Sequence, residues 1–204
     1  MMYRGIKGTF VYVCDPKLRE YFKNHIKQAE SNSIVETKEE WKPRILPIED
    51  VNPFKNSVPI YDFYAAAGEF SVVKTQEEIN QFDWISVPEN QNVDDNYFVC
   101  KIKGESMNRV IKNGSYCLFR RDTGGSRNGK IVLVEHYDIQ DIDSGTRFTI
   151  KEYSSEKHTK QDGWRHNAIR LTPKSFDEKY KDIILKNEQL EELKVVGIFV
   201  CVIE

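Results

Sequence analysis

Short segments with alternating apolar side chains, separated by turn signals, dominate the chain after Ser57. Phe98, Cys100 and Ile102 alternate with polar or smaller residues and would share one side of a strand. Asn-Gly pairs at 113–114 and 128–129 favour tight turns between such strands. The predicted strands cover residues 97–103, 115–120, 131–134, 146–153 and 195–203. This pattern predicts a mainly β domain with few helices.

The N-terminal part of the chain has a different pattern. Residues 8–13 predict a strand, and Asp15-Pro16 then supplies an N-cap and a first-turn proline for a helix. From residue 30 to 56 the composition is polar and contains prolines, as is typical of a linker. We therefore predict a small α/β appendage with its linker over 1–50, a connecting region over 51–71, and the β domain over 72–204.

Composition restricts the class of protein. The 204 residues carry a formal net charge of -2, so no generic basic surface for nucleic acid is expected. The longest apolar runs are strand-sized, which predicts no membrane anchor, and the first residues do not form a secretory signal. A cytoplasmic location is expected. The charged stretch 174–193 is interpreted as a solvated face.

Cysteine and histidine spacing gives no support for a metal centre. The four cysteines form no CxxC pair and lie mostly among apolar neighbours, as reduced, buried thiols do. The four histidines show neither HExxH nor HxH spacing. No metal and no cofactor are expected. The cysteines are Cys14, Cys100, Cys117 and Cys201, and the histidines are His25, His136, His158 and His166.

The segment AAAGEF, residues 65–70, is unusual because its side chains are so small. Alanine favours helices and glycine breaks them, and no β-branched residue supports a strand. We interpret it as a loop whose backbone is approached closely. Either the chain turns tightly there, or another group must reach the Ala67-Gly68 peptide bond.

A candidate nucleophile lies in the segment KGESM, residues 103–107. Ser106 follows a predicted strand and a glycine, so its hydroxyl would lie on a turn beside free backbone N–H groups. Most serines in such places only cap a turn, and a serine nucleophile needs a base. A Ser-His-Asp triad stays open, although no GxSxG elbow occurs.

Lysine is the other base that serine can use. Lys151 is predicted to share one side of a strand with Thr149, whereas Phe148 and Ile150 lie on the other; on its own, such a lysine usually faces solvent. With a pKa near 10.4, only about 4 in 10,000 lysines are neutral at pH 7. Burial must therefore disfavour the charged form by about 4 kcal/mol.

Four segments in this order resemble the LexA-like S24 peptidases, the self-cleaving C-terminal domains of SOS and phage repressors and of SOS mutagenesis proteins. The segments are AAAGEF, GESM, RNGKIVLVEH and FTIKEY, and the resemblance continues through IRLTPKSFDEKYKDI and VVGIFVCVIE. It implies a LexA/signal-peptidase-like β fold over residues from about 57 to the end.

The resemblance also implies roles for individual residues. Ser106 would be the nucleophile, Lys151 the general base, and Ala67-Gly68 the scissile bond, which makes 51–71 the cleavage-site region. The backbone N–H groups of Glu105 and Ser106 would bind the oxyanion. Small residues would then let the segment lie extended in the protein's own cleft, and an intramolecular substrate gains effective concentration.

Some residues depart from the family pattern. A proline is common soon after the Ser-Met pair and an aspartate after the next glycine, whereas this chain has Asn108-Arg109 and Gly114-Ser115. These positions lie outside the Ser-Lys pair. The polar stretch 138–145 is interpreted as an enlarged hairpin loop.

The N-terminal residues lack the helix-turn-helix of a repressor, so no sequence-specific DNA binding is expected. The segment RGIKGTFVYVCDPKLREYF instead resembles the C-terminal edge of Schlafen-like superfamily-1 helicases, in which Arg4 would face the nucleotide. No GxxxxGK[ST] loop occurs, so this chain would not bind ATP by itself. We interpret the chain as the tail of a longer helicase-peptidase polypeptide, or as derived from one.

The resemblance thus favours a cytoplasmic self-cleaving peptidase of a stress or DNA-damage response. It implies a homodimer and a RecA–DNA filament as activator, and the N-terminal resemblance implies a helicase ATPase module as partner. Two alternatives remain: a non-cleaving dimerisation or docking module, and a membrane-bound signal-peptidase relative, for which the sequence offers no anchor.

Overall fold

The computed structural model describes residues 15–23, 41–62, 70–88, 91–160 and 163–203. The chain divides into two compact units, Met1–Trp41 and Lys42–Glu204. In the first unit, residues 16–23 form helix α1, and the Asp15 carboxylate accepts hydrogen bonds from the backbone N–H groups of Lys17 and Leu18. The predicted helix start is confirmed, whereas the predicted strand 8–13 lies outside the described residues.

The second unit is built around a sheet to which ten of the described strands belong. The strands are β1 Ile45–Leu46, β2 Ser57–Tyr61, β3 Asp83–Ser86, β4 Tyr97–Lys101, β5 Tyr116–Arg121, β6 Ile131–Glu135, β7 Phe148–Lys160, β8 Gly163–Thr172, β9 Ile183–Lys186 and β10 Lys194–Ile203. Helix α2 covers Gln76–Ile79, and 3-10 turns cover Ile48–Asp50 and Asn187–Leu190. The predicted mainly β fold is confirmed.

The strand order brings together strands that are far apart in the sequence. It runs β1-β3-β2-β4-β5-β10-β6-β7-β8-β9, and the β2–β4 pair is parallel whereas the other pairs are antiparallel. The closing strand β10 lies between β5 and β6. It therefore joins the half of the sheet that contains β4 to the half that contains β7.

The sheet is covered by apolar side chains on both faces around β6. Leu133 belongs to one buried cluster, and its neighbours Val132 and Val134 belong to the other. Because successive strand residues point to opposite faces, the unbroken apolar run 131–134 is explained by burial on both sides.

Aromatic rings form the centre of the buried cluster that contains Leu133, the first cluster. Phe98 is fully buried and contacts the rings of Tyr61, Phe70 and Phe119 at centroid distances of 5.4–5.7 Å. Gly197 makes room for it, since a Cβ there would lie 2.8 Å from Phe98 Cζ. The glycine in the closing strand thus permits close packing of a ring against the sheet backbone.

Most predicted strands are observed, some with different bounds. Strand β7 extends to Lys160 and pairs with β8 over much of its length, well beyond the predicted end at 153. The predicted enlarged hairpin loop is confirmed as residues 136–147, between β6 and β7. The charged stretch 174–193 contains β9 and a 3-10 turn.

The predicted division at 1–50, 51–71 and 72–204 stays a prediction. Strands β1 and β2 nevertheless pair with β3 in the same sheet as the C-terminal strands. Within the described residues, no helix combines the length and the hydropathy needed to cross a membrane. Cys100, Cys117 and Cys201 form no disulfide with one another, and burial raises the pKa of Cys100 well above its usual range.

Candidate active site

Ser106 lies in the compact turn that follows β4. The buried side chains of Met107 and Ile111 anchor this turn, and its backbone continues through Gly104 at φ +116°. The Ser106 carbonyl accepts a hydrogen bond from the backbone N–H of Lys174 (3.0 Å). These contacts fix the backbone of Ser106 while its side chain stays partly exposed.

Lys151 lies on β7, which is between β6 and β8 in the sheet. It shares a face of β7 with Thr149, as predicted, and their cross-strand partners in β6 are the fully buried Val132 and Val134. The Lys151 side chain is itself buried, with 4% of the residue exposed. Its location differs from that of an ordinary strand lysine, which faces water.

The structure brings the two predicted dyad residues together. Lys151 Nζ lies 2.9 Å from Ser106 Oγ, 2.7 Å from Thr149 Oγ1 and 3.0 Å from the carbonyl oxygen of Ile150. An ammonium group can donate to all three oxygens. A neutral amine can instead donate to Thr149 and Ile150 and accept the Ser106 proton, so the same geometry serves both protonation states.

Two opposing effects act on the charge of Lys151. Burial is the larger and lowers the pKa of its amine, because the charged form loses hydration. The carboxylates of Asp141 and Asp143 act in the other direction. Burial thus acts in the direction that a Ser-Lys pair requires, and the two aspartates partly offset it.

Asp141 is a residue of this site that the sequence interpretation missed. One of its carboxylate oxygens, Oδ2, lies 3.8 Å from Lys151 Nζ and accepts a 2.7 Å hydrogen bond from Thr149 Oγ1. The other, Oδ1, accepts hydrogen bonds from the backbone N–H groups of Asp143 and Ser144. The only signal in the sequence is the pair of aspartates in QDIDSG, and its polar composition indicates no more than a loop.

Asp143, from the same loop, contacts the turn that carries Ser106. Its Oδ2 accepts a 2.9 Å hydrogen bond from the backbone N–H of Glu105, one of the two predicted oxyanion donors. Tyr180 donates its hydroxyl to the same carboxylate (2.8 Å). Among the described residues, the other predicted donor, the N–H of Ser106, has no hydrogen-bond acceptor.

Replacing Gly104 with alanine is expected to disrupt this turn. A Cβ at residue 104 would lie 2.3 Å from Asp143 Oδ2, and alanine is strained at φ +116°. The strain alone costs about 1–3 kcal/mol, and the overlap displaces Asp143 from Glu105 as well. We expect Gly104→Ala to lower the free energy of urea unfolding by more than Gly114→Ala does.

Gly114 is the matched control for that comparison. It has a positive φ of +87°, but a Cβ there meets nothing within 4 Å, so alanine adds strain without overlap. Equal losses of stability in the two variants would show that the contact between Gly104 and Asp143 does not shape the turn.

The predicted scissile bond, Ala67-Gly68, lies outside the described residues. The residues that flank the segment are described: Tyr61 lies before it, and Phe70 and Ser71 follow it. They are held together by direct contacts and by Arg121. Arg121 donates hydrogen bonds to the carbonyl oxygens of Phe70 and Ser71, and it also contacts the Tyr61 hydroxyl (3.1 Å). Tyr61 stacks on Phe70, with ring centroids 5.1 Å apart.

These flanking residues lie close to the cleft at Ser106. The Phe70 ring contacts the Phe148 ring at a centroid distance of 5.3 Å, and Phe148 lines the cleft together with Ser106. Other residues that line this cleft are Ile102, Met107, Asp141, Thr149 and Ile150. Phe70, just after the predicted cleavage segment, therefore contacts the wall of the cleft through its ring.

One group of potential metal ligands occurs among the described residues, formed by His136, Asp138 and Glu192. His136 Nε2 lies 2.9 Å from the carbonyl oxygen of Gln189, and its Nδ1 accepts a hydrogen bond from the backbone N–H of Asp138 (3.1 Å). Both ring nitrogens are thus engaged with the protein. We do not propose a metal site there.

Comparison with known proteins identifies the class to which this fold and cleft belong. The family model for S24-like peptidases matches residues 59–200, well over half of the chain. The protein therefore belongs to the S24-like peptidase family. A comparison with curated proteins gave no significant match.

Proposed function

We propose that this protein is a Ser-Lys serine peptidase that cuts its own chain at Ala67-Gly68. The observation that carries the proposal is the contact between Lys151 Nζ and Ser106 Oγ at 2.9 Å, with the lysine buried. A buried amine beside a serine hydroxyl is the arrangement that lets lysine act as a general base.

In the proposed reaction, neutral Lys151 takes the proton from Ser106 Oγ as this oxygen attacks the carbonyl carbon of Ala67. The negative charge that develops on the carbonyl oxygen is stabilised by the backbone N–H of Ser106, which has no acceptor among the described residues, whereas the N–H of Glu105 donates to Asp143. Lys151 then gives its proton to the departing nitrogen of Gly68. Water hydrolyses the resulting ester between Ala67 and Ser106.

Cleavage within one chain is supported by the contacts of the residues that flank the segment. The carbonyls of Phe70 and Ser71 are held by Arg121, and Phe70 packs against the cleft residue Phe148. Gly68 is only two residues before Phe70, and each residue extends the chain by at most about 3.6 Å. A substrate tethered at this distance has a high effective concentration.

The wider biological setting belongs to the same proposal. The family resemblance supports action in a DNA-damage or stress response in the cytoplasm, as a homodimer whose cleavage is triggered by RecA–DNA filaments. A helicase or ATPase module as partner rests only on the resemblance of the N-terminal segment to a helicase edge. The family match begins at residue 59, and Arg4 lies outside the described residues.

The proposal is tested by incubating the purified chain at pH 7 and at about pH 10 beside Ser106→Ala. We expect fragments with the masses of residues 1–67 and 68–204. They should form faster at the higher pH, because the fraction of neutral lysine increases with pH. They should be absent in Ser106→Ala.

An intact chain under both conditions, and also with RecA–DNA filaments added, would contradict the proposal. The protein would then be assigned to the alternative class, a dimerisation or docking module with the same fold.

A further inference from the structure

The loop between β6 and β7 inserts a carboxylate beside the proposed general base. Asp141 Oδ2 lies 3.8 Å from Lys151 Nζ, and both side chains are largely removed from water, with exposures of 11% and 5%. Opposite charges at this distance attract strongly when water is excluded, because the effective dielectric constant is lower there. The contact therefore favours the ammonium form of Lys151, which cannot accept the Ser106 proton.

Asp141 is held in this place by several hydrogen bonds. Its Oδ1 accepts from the backbone N–H groups of Asp143 and Ser144 (3.1 Å each), and its own N–H donates to the carbonyl of Thr146 (2.9 Å). Its Oδ2 is held by Thr149 Oγ1, which also lies 2.7 Å from Lys151 Nζ. The carboxylate thus belongs to an ordered turn and to a short chain of polar groups that ends at the lysine.

Among the described residues, the groups that face Lys151 from the other elements are mostly uncharged. The β6 partners of Lys151 and Thr149 are valines, and the turn after β4 contributes the uncharged Ser106. Among the described residues, the second carboxylate that acts on Lys151 is that of Asp143, which is engaged by Glu105 N–H and Tyr180. The next residue in β7, Glu152, pairs with Lys174 at 2.9 Å.

We propose that Asp141 is a positioning residue that favours the charged form of Lys151 and so restrains the Ser106–Lys151 pair. This inference rests on the proposed function for its consequence, which is slower self-cleavage near pH 7. Burial lowers the pKa of Lys151 and the Asp141 carboxylate raises it. The balance of these two effects then sets the pH range in which the pair reacts. Removing the negative charge while keeping the turn is expected to release the restraint.

The first test measures the protonation of Lys151 directly and does not depend on cleavage. Lysine labelled with ¹³C and ¹⁵N is titrated by NMR in the full chain carrying Ser106→Ala, with and without Asp141→Asn. Asparagine keeps an oxygen for the turn but has no charge. We expect the pKa of Lys151 to fall in Asp141→Asn, and the Lys151 signal is identified by its loss in Lys151→Met.

Two further variants control that titration. Asp138→Asn makes the same chemical change at an exposed position of the same loop, so the pKa of Lys151 should stay as in the parent chain. Asp141→Ser removes the charge but keeps a short hydroxyl acceptor for the turn, which provides a second charge-free chain if Asp141→Asn does not fold. An unchanged or higher pKa of Lys151 in the charge-free chains would overturn the inference.

The second test compares pH profiles of self-cleavage in chains that retain Ser106. We expect the profile of Asp141→Asn to move to lower pH and that of Asp138→Asn to follow the parent. At pH 7 the rate should increase by the same factor as the neutral fraction measured by NMR, which is about tenfold for each unit by which the pKa falls.

The two tests separate failure of the inference from failure of the proposed function. A lower pKa of Lys151 with no cleavage in any chain would leave Asp141 in control of the lysine charge and would reject the peptidase proposal. Cleavage whose pH profile does not change in Asp141→Asn, together with an unchanged titration, would reject the restraint and leave the peptidase proposal intact.

Discussion

Lys151→Met is expected to slow self-cleavage at neutral pH by about 10²- to 10⁴-fold, the usual contribution of a general base. Methionine has a similar length and suits the buried position between β6 and the Ser106 turn. It has no group that can accept the Ser106 proton. The measurement is the first-order disappearance of intact chain by mass spectrometry at pH 7 and pH 10.

Lys112→Met is the matched control for this variant. Lys112 is exposed and follows the buried Ile111 in the turn that also contains Ser106, so the same substitution there should leave the rate unchanged. Cleavage of Lys151→Met at the parent rate would show that the serine uses another base. Urea unfolding of both variants, measured in parallel, separates loss of activity from loss of fold.

Phe98→Ala is expected to cause the largest loss of stability, about 3–5 kcal/mol in the free energy of unfolding. Phe98 is fully buried, and its ring is surrounded by Tyr61, Phe70 and Phe119. Alanine would leave a cavity at the centre of the first cluster, between Phe70 and Gly197 of the closing strand. Equilibrium unfolding in urea measures the effect.

The matched control is Phe176→Ala. Phe176 is 75% exposed and its ring contacts the guanidinium group of Arg109 at 5.1 Å. Loss of an exposed cation–π contact costs about 0.5–1 kcal/mol. Similar losses of stability for the two phenylalanines would contradict the assignment of the aromatic cluster as the core of the sheet.

The strands of this protein could be predicted where local pattern and burial agree. The alternation at Phe98, Cys100 and Ile102 matches their common place in the first cluster, and the turn glycines Gly114 and Gly129 adopt positive φ. The extension of β7 beyond residue 153 could not be predicted, because its residues are polar and the strand is formed by pairing with β8. The partners in this extension are close in sequence, down to Lys160 and Gly163, but a polar strand lacks the alternation of apolar residues by which a strand is recognised.

The same distinction applies to the site. The position of Ser106 after a strand and of Lys151 on one side of a strand, together with the family resemblance, predicts this pair. The structure places their reactive atoms at hydrogen-bond distance. Asp141 and Asp143 belong to a loop whose course depends on its own hydrogen bonds. Neither the loop's approach to Lys151 nor its contact with Tyr180 follows from residue spacing.

Reaction with a fluorophosphonate tests the central claim, that Ser106 is a nucleophile activated by Lys151, most directly, because the probe needs no access to the Ala67-Gly68 bond. The labelled chain is digested, and the modified residue is located by peptide mass mapping after reaction at pH 7 and pH 10. The account predicts an adduct on Ser106 that forms faster at pH 10 and does not form in Lys151→Met. An adduct that forms equally fast without Lys151, or on other serines while Ser106 stays unmodified, would contradict it.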